Sequence, residues 1–259
     1  MTRRLAGLLF VLALVAAPSA AIATSLASLF DEGNNAFWNG DYEKAVKAYD
    51  RLEALGVRSA GLSYNLGTAK ARLGRLGEAV RHYERALLLD PGHEDARYNL
   101  GLVREFLARR ASEAGRDADL APAAGPWRAV LDRFSPFAAA LAFLVFHLAL
   151  FGVLVARRFV AAELPRMTLG VTAGVLAALT AATLAVTVGK WHQLEHEREA
   201  VVTARGQTDA VEGPGSAVRR FGLEEGSRVR VLERREGWTR VRDDRGRDGW
   251  ARSETVGDI

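Results

Sequence analysis

The chain has 259 residues, a net charge of +4 and no cysteine, and 49% of its residues are hydrophobic. Basic and acidic residues are interleaved, which argues against a nucleic-acid-binding surface, and the lack of cysteine excludes disulfides and thiolate metal sites. The apolar residues are concentrated in residues 5–17, 136–156 and 167–189. This distribution predicts a membrane protein with soluble modules rather than one large soluble core.

The N-terminus has the pattern of an export signal. Basic residues precede the apolar run of residues 5–17, and Ala21 and Ala23 satisfy the small-x-small rule for cleavage. We therefore expect residues 1–23 to be a signal peptide, with an uncleaved N-terminal anchor as the alternative. Both interpretations place the next segment outside the cytoplasm.

A self-similarity with a period of 34 residues follows the signal. A period of this length, with Leu-Gly, then Ala-x3-Tyr, then Asp-Pro, resembles the tetratricopeptide repeat, whose unit is a pair of antiparallel helices. The resemblance implies that small residues lie where the helices cross, that Gly-containing turns join them, and that tyrosines fill the seam between units. The matching positions are Gly33, Gly67 and Gly101; Gly40 and Gly74; Ala45 and Ala79; Tyr49 and Tyr83; and Leu66 and Leu100, with Asp90 and Pro91 after the second repeat.

Residues 24–111 are thus predicted to form two repeats closed by a capping helix over 93–111; a generic bundle of helical hairpins is the alternative. The resemblance implies a peptide-binding groove on the concave face, lined by the first helix of each pair. Phe30 stands where the related carboxylate clamp has a lysine, which argues against recognition of a C-terminal carboxylate. Each candidate could instead serve packing or the core. The groove candidates are Asn34, Phe37, Trp38, Tyr64, Asn65, Thr68, Arg72, Tyr98 and Asn99.

Two segments after the repeats are predicted to cross the membrane. A linker over 112–134 leads to apolar helices over 135–156 and 167–189, each long enough for roughly 30 Å of hydrocarbon. The loop 157–166 between them carries three arginines and one glutamate, so the positive-inside rule places it in the cytoplasm and both soluble parts on the far side.

Small residues in the second apolar helix predict a close helix contact. Gly170 and Gly174 form a G-x-x-x-G pattern, which allows another helix to approach closely. The contact is either with the first span or with a transmembrane helix of a partner.

The juxtamembrane segment 190–199 contains a pattern that resembles a catalytic motif. His192, Glu195 and His196 match H-x-x-E-H, the inverted zinc-protease signature. No domain remains to form a substrate cleft around it, so a membrane zinc protease is a remote alternative. We expect no catalytic residue, no metal and no cofactor.

Residues 200–256 change to the alternating pattern of β-strands separated by glycine turns. Two Gly-Trp pairs, at Trp238 and Trp250, make this segment resemble a bacterial SH3-like domain, which implies a small five-stranded barrel. The two tryptophans are candidates for stacking on a ligand such as cell-wall peptide. Placement in the core of the barrel is the alternative.

The order of these modules resembles the BatE proteins of bacterial aerotolerance operons. The fold class is therefore a multidomain membrane protein: an all-α tetratricopeptide superhelix, two transmembrane helices and a small all-β SH3-like barrel. The resemblance implies a non-enzymatic scaffold in the inner membrane, with both soluble domains on the periplasmic side. It also implies partners, namely membrane-bound von Willebrand A-domain proteins and a MoxR-type ATPase. A sensor or anchor whose barrel binds peptidoglycan is the alternative.

Overall fold

The computed structural model describes residues 25–116, 126–131, 133–196 and 198–259. The predicted signal peptide, residues 1–23, and the centre of the predicted linker lie outside these ranges. The N-terminal part is a stack of helices. Its elements are α1 (25–38), α2 (Tyr42–Ala54), α3 (Ala60–Arg72), α4 (Leu76–Leu89) and α5 (Glu94–Glu113).

Turn and capping residues of the repeat set the helix boundaries as predicted. Gly40 and Gly74 adopt φ values of +80° and +70° in the two turns, a conformation that glycine adopts without steric cost. Asp41 then caps α2 by accepting a hydrogen bond from the amide of Lys44 at 3.0 Å. Helix α4 ends at Leu89, two residues before Pro91, because proline does not continue a helix.

The repeated glycines give the helices room to cross, and this prediction is confirmed. A Cβ atom on Gly33 would clash with the Tyr49 ring, 2.7 Å from its Cδ1 atom, and one on Gly67 would lie 2.8 Å from the Tyr83 ring. The two tyrosines therefore pack inside their own helix pairs. Tyr49 also shares a buried cluster with Leu62 and Leu66 of the second repeat, so it contributes to the seam between units.

A short helix, α6 (Pro126–Leu131), leads into two long apolar helices, α7 (Pro136–Phe159) and α8 (Glu163–His196). Both are long and apolar enough to cross a membrane, and they pack on each other as an antiparallel hairpin. At 1.5 Å per residue α8 is roughly 50 Å long, which exceeds a hydrocarbon core of about 30 Å. Helix α8 extends beyond the predicted segment 167–189 at both ends.

The C-terminal domain is one antiparallel sheet of seven strands, two more than the five predicted. Its strand order is β3-β2-β6-β5-β4-β1-β7. The first strand, which the sequence places partly in the juxtamembrane segment, adds to the sheet by pairing with both β4 and β7. The strands are β1 (Glu199–Val202), β2 (Gln207–Val211), β3 (Arg219–Glu224), β4 (Arg228–Arg235), β5 (Trp238–Arg242), β6 (Asp248–Arg252) and β7 (Val256–Asp258).

This SH3-like sheet domain, which we call the barrel after the predicted fold, packs directly against the repeat stack through β1 and β7 on α4. Val201 of β1 is fully buried in the same cluster as Val80 and Leu107 of the repeats. Since the two domains touch each other, they lie at the same end of the α7–α8 hairpin.

Candidate functional site

Hydrogen bonds that repeat with the sequence period organise the first helices of the stack. The hydroxyl of Tyr49 donates to Oδ1 of Asn34 at 2.7 Å, and that of Tyr83 donates to Oγ1 of Thr68 at 3.2 Å. The two pairs are related by the same 34-residue shift. Burial raises the pKa of both tyrosine hydroxyls, so both remain neutral donors. Asn34 and Thr68 are thus engaged in holding each helix pair together.

Two further groove candidates connect neighbouring repeats. The amide of Asn65 donates to Oδ1 of Asn34 at 3.3 Å, and the amide of Asn99 reaches the hydroxyl of Tyr64 at 3.5 Å. The Tyr64 ring in turn lies 4.9 Å from the ring of His93, centroid to centroid. Asn34, Asn65 and Asn99 thus form a polar column along the stack, and their side chains are engaged in hydrogen bonds within it.

The remaining candidates are available to a ligand to different degrees. Trp38 is 82% exposed and Tyr98 is 68% exposed, which is unusual for aromatic side chains of this size. Phe37 packs edge-on against Trp38 and Tyr42, with ring centroids 5.8 and 5.3 Å away, and Arg72 is exposed at the end of α3. Two exposed aromatic rings and a guanidinium therefore form the accessible part of the groove.

The contact between the barrel and the repeats is centred on a glycine that sequence analysis did not single out. A Cβ atom on Gly77 would lie 2.6 Å from the carbonyl oxygen of Val202 and 2.9 Å from Cα of Thr203, both backbone atoms of the barrel. Repeat one has Glu43 at the equivalent position. This departure from the repeat was visible in the sequence, but only the barrel explains it.

A buried carboxylate from the barrel caps the same end of α4. Arg75, which precedes α4, supplies no side-chain cap. Instead Oε1 of Glu225, which is 2% exposed, accepts a hydrogen bond from the Gly77 amide at 2.9 Å. Its other oxygen accepts from the Gly206 amide at 2.9 Å and pairs with Arg110 of α5. A negative charge is stabilising at a helix N-terminus, so Glu225 joins the two domains electrostatically.

A second buried carboxylate, Glu84 of α4, lies between two arginines. Arg104 of α5 pairs with it from the repeat side, and Arg228 of β4 lies 2.7 Å from Oε2 on the barrel side. Arg228 also donates to Glu199 at 3.2 Å. Burial lowers the pKa of Arg104, an effect that the Glu84 charge opposes. The docked arrangement therefore contains buried charges that compensate one another across the interface.

A buried histidine lies on α4 close to the first repeat. Nε2 of His82 accepts from the Arg81 guanidinium at 3.0 Å, and its Nδ1 lies 3.8 Å from Glu53. Burial and then the charge of Arg81 hold the pKa of His82 well below its ordinary value near 6.5. His82 is therefore neutral around pH 7 and acts as a packing residue.

The two tryptophans of the barrel differ in accessibility. Trp250 is buried, and the Arg235 guanidinium lies 5.4 Å from its ring centroid. Trp238 is half-exposed and is covered on one face by Arg252 at 5.1 Å. It borders a shallow surface depression that Pro214 and Arg235 also line. Of the two ligand candidates, only Trp238 offers a ring edge to a ligand.

The predicted helix-packing glycines face different surroundings. A Cβ atom on Gly170 would lie 3.6 Å from the Arg157 guanidinium of α7, whereas one on Gly174 would have open space around it. Gly170 thus lies beside the hairpin partner, and Gly174, one turn further along α8, is exposed.

The zinc-protease pattern extends beyond the described side chains. His192 is exposed, while the side chains of Glu195 and His196 lie outside the described part of the structure. Among the side chains that are described, no three histidine or acidic groups lie close enough together to hold a metal ion.

Two segments of the chain match known families. Residues 60–93 match the tetratricopeptide repeat family, and residues 213–258 match the bacterial SH3 domain family. The mouse sperm-associated antigen 1 is 41% identical over 66 residues, which are 25% of this chain and 7% of that protein. The photosystem I assembly protein Ycf3 of Synechococcus elongatus is 30% identical over 91 residues, which are 34% of this chain.

The chain spans about half the length of the Ycf3 relative, 53%, and a small part of the mouse protein. A crystal structure of a tetratricopeptide-repeat protein from Bacteroides fragilis covers 64% of this chain and 91% of its own, at 14% identity, with a TM-score of 0.23. That score supports no statement about the fold of this chain. The family matches and the strand and helix pattern together establish a tetratricopeptide-type helical region followed by an SH3-like sheet.

Proposed function

We propose that this protein is a non-enzymatic, membrane-anchored scaffold that binds partner proteins through the concave face of its repeats. The observation that carries the proposal is the pair of exposed aromatic rings, Trp38 and Tyr98, on the first and last helices of that face. The barrel contacts α4 and α5 from another side, so its docking leaves these rings exposed. Aromatic residues with Arg72 between them are the residue types enriched at protein-binding hot spots.

The size of the groove limits the ligand to one short segment of a partner. Three first helices, α1, α3 and α5, contribute to it. The polar column formed by Asn34, Asn65 and Asn99 keeps these helices in register, so the exposed rings are presented on a preorganised surface. Preorganisation lowers the entropic cost of binding. The ligand in this proposal is a peptide segment with apolar side chains for the two rings and an acceptor for Arg72.

The two apolar helices support membrane anchoring. They form a hairpin whose short connection, residues 160–162, separates α7 from α8, and arginines Arg157, Arg158 and Arg166 flank that connection. By the positive-inside rule the connection is cytoplasmic, so the contacting repeat and barrel domains lie together on the periplasmic side of the inner membrane.

The module order, which resembles BatE proteins, supports the identity of the partners. The proposed complex contains membrane-bound von Willebrand A-domain proteins and a MoxR-type ATPase, and serves envelope stress tolerance. The name of the Ycf3 relative, a photosystem I assembly protein, favours assembly as the task of this type of repeat. Gly174, which has open space around its Cβ position, would allow a partner's transmembrane helix to approach closely.

The proposal is tested by site-specific photo-crosslinking of the full chain in the native membrane. A photoreactive amino acid replaces Tyr98 in the groove or, as a matched control, Leu55, which directly follows α2 and is 65% exposed. A von Willebrand A-domain protein should be crosslinked from position 98 and not from position 55. Trp38→Ala should lower the yield from position 98. Equal crosslinking from both positions, or none from position 98, would contradict the proposal.

Peptidoglycan binding by the barrel is the second candidate, and the half-exposed ring of Trp238 beside Pro214 is the observation that favours it. The full chain should then be retained on purified cell wall, and Trp238→Ala should abolish retention, whereas Trp38→Ala should not. If Trp238→Ala is retained as well as the parent, or if the parent is not retained, this candidate is excluded.

A further inference from the structure

A cleft of about 630 Å³ lies between the repeats, the barrel and the end of α8. Its walls include Leu87 and Leu88 of α4, Leu100 of α5, and Ile259 at the C-terminus. Basic side chains outnumber acidic side chains in this lining by six to three. The basic side chains are Arg97, Arg104, Lys190, Arg198, Arg228 and Arg234.

The cleft lies where α8 leaves its apolar segment. The uncharged run ends at Gly189, and Lys190, the next residue, lines the cleft and is 2% exposed. Trp127 of α6 packs over Gly189, where a Cβ atom would lie 3.1 Å from its ring. Exposed Trp191 follows directly. Tryptophan and lysine at the end of an apolar helix mark the level of the lipid headgroups.

The acidic groups in the cleft are already engaged by arginines of the domain interface. Glu84 pairs with Arg104 and Arg228, Glu199 also pairs with Arg228, and Asp258 pairs with Arg234. Arg97 and Arg198 are exposed, and Arg97 donates to a backbone carbonyl, that of Pro91, rather than to a carboxylate. The guanidinium groups of Arg97 and Arg198 therefore lie at the rim of the cleft, where they can contact an anion that enters from outside.

We infer that this cleft binds the phosphate headgroup of an anionic phospholipid in the periplasmic leaflet. The inference rests on the proposed membrane anchoring. Basic pockets at the ends of transmembrane helices suit anionic headgroups because charge attraction adds to the burial of apolar surface. The leucines of the cleft provide that apolar surface, and Arg97 and Arg198 at its rim contact the phosphate. A bound lipid would contact both domains and so stabilise their docking.

The test is native mass spectrometry of the detergent-solubilised full chain, with phosphatidylglycerol or phosphatidylcholine added at equal concentrations. Retention of phosphatidylglycerol should exceed that of phosphatidylcholine, and the double variant Arg97→Ala/Arg198→Ala should lower it roughly tenfold. The control Arg51→Ala/Arg109→Ala removes two exposed arginines outside the cleft and should retain the lipid. Thermal unfolding without lipid shows whether each variant folds.

Three results would overturn the inference. The first is equal retention of both lipids, and the second is equal loss of lipid in the cleft and control variants. The third is a shift of the thermal midpoint with inorganic phosphate alone that is as large as the shift with phosphatidylglycerol. The last result would assign the cleft to a soluble anion. Failure of the membrane anchor itself is a separate outcome, since alkaline carbonate would then extract the full chain from membranes.

Discussion

Replacing Gly77 by alanine tests the docking of the barrel on the repeats, because docking reverses the sign of the expected change in stability. In a helix without a neighbour, glycine to alanine stabilises the protein by up to about 1 kcal/mol. In the docked structure the new Cβ atom would lie 2.6 and 2.9 Å from backbone atoms of Val202 and Thr203. Backbone cannot rotate away as a side chain does, so the barrel must shift, and overpacking of this kind costs about 1–3 kcal/mol.

The matched control is Gly61→Ala. Gly61 is also the second residue of its helix, and no atom lies within 4 Å of the position of its Cβ. Gly61→Ala should therefore raise the thermal midpoint, whereas Gly77→Ala should weaken docking while both domains stay folded. Weaker docking should also disturb Glu225, because its 2.9 Å hydrogen bond from the Gly77 amide requires the barrel to lie close to α4.

The assay is a distance measurement between two spin labels in the full chain. The natural sequence has no cysteine, so Lys47→Cys on α2 and Glu236→Cys in the β4–β5 turn provide the only thiols. One narrow distance distribution is expected for the parent and for Gly61→Ala, and a broad one for Gly77→Ala. A narrow distribution and a raised thermal midpoint for Gly77→Ala would refute the docking argument.

Three further predictions concern charge, pH and the groove. Glu84→Gln leaves two guanidinium groups without their shared carboxylate and should destabilise the docked state by about 3–5 kcal/mol; adding Arg228→Gln should recover part of the loss in a double-mutant cycle. The folded pKa of His82 lies below its unfolded value, so protonation of the unfolded imidazole lowers the free energy of unfolding as the pH falls. Above about pH 6.5 His82 is neutral in both states, and the free energy of unfolding is not lowered. Below that pH, the free energy of unfolding falls by up to about 1.4 kcal/mol per pH unit. Urea unfolding of the solubilised chain should show this slope, and His82→Gln should remove it. Trp38→Ala should reduce partner capture and change stability by less than about 0.5 kcal/mol. Asn65→Ala should lower stability by about 1 kcal/mol through its lost hydrogen bond. If Trp38→Ala lowers stability without reducing capture, the binding surface lies elsewhere.

Local patterns predicted the elements well because each depends on near neighbours in the chain. The 34-residue period identified Gly33 and Gly67 as crossing positions, and the turn glycines set the helix boundaries. The sheet was less predictable. Strand β1 begins three residues after α8 ends and pairs with β4 and β7. The alternating pattern of a four-residue strand does not reveal such long-range pairing.

The candidate site was predicted as a set of positions but not as a surface. The family pattern identified Asn34, Asn65 and Thr68 alongside Trp38, and periodicity alone does not separate a hydrogen-bonded column from an exposed ring. The domain interface was missed altogether. Gly77 and Glu225 lie 148 residues apart in sequence, and only the departure of Gly77 from the repeat hinted at a contact.

In the proposed membrane-anchored arrangement, the docked barrel would also set the height of the groove above the membrane. Strand β1 begins three residues after α8 ends, which in that arrangement would keep the barrel at the bilayer surface. Its buried contacts with α4 hold the repeats beside it. Without docking, the repeats would be tethered by the predicted linker 112–134 and would sample a larger volume. For a partner in the same membrane, the effective concentration at the groove would then fall. Gly77→Ala should accordingly weaken capture of a membrane-bound partner while leaving the affinity for its soluble peptide segment unchanged. Equal weakening of both would mean that docking shapes the groove itself.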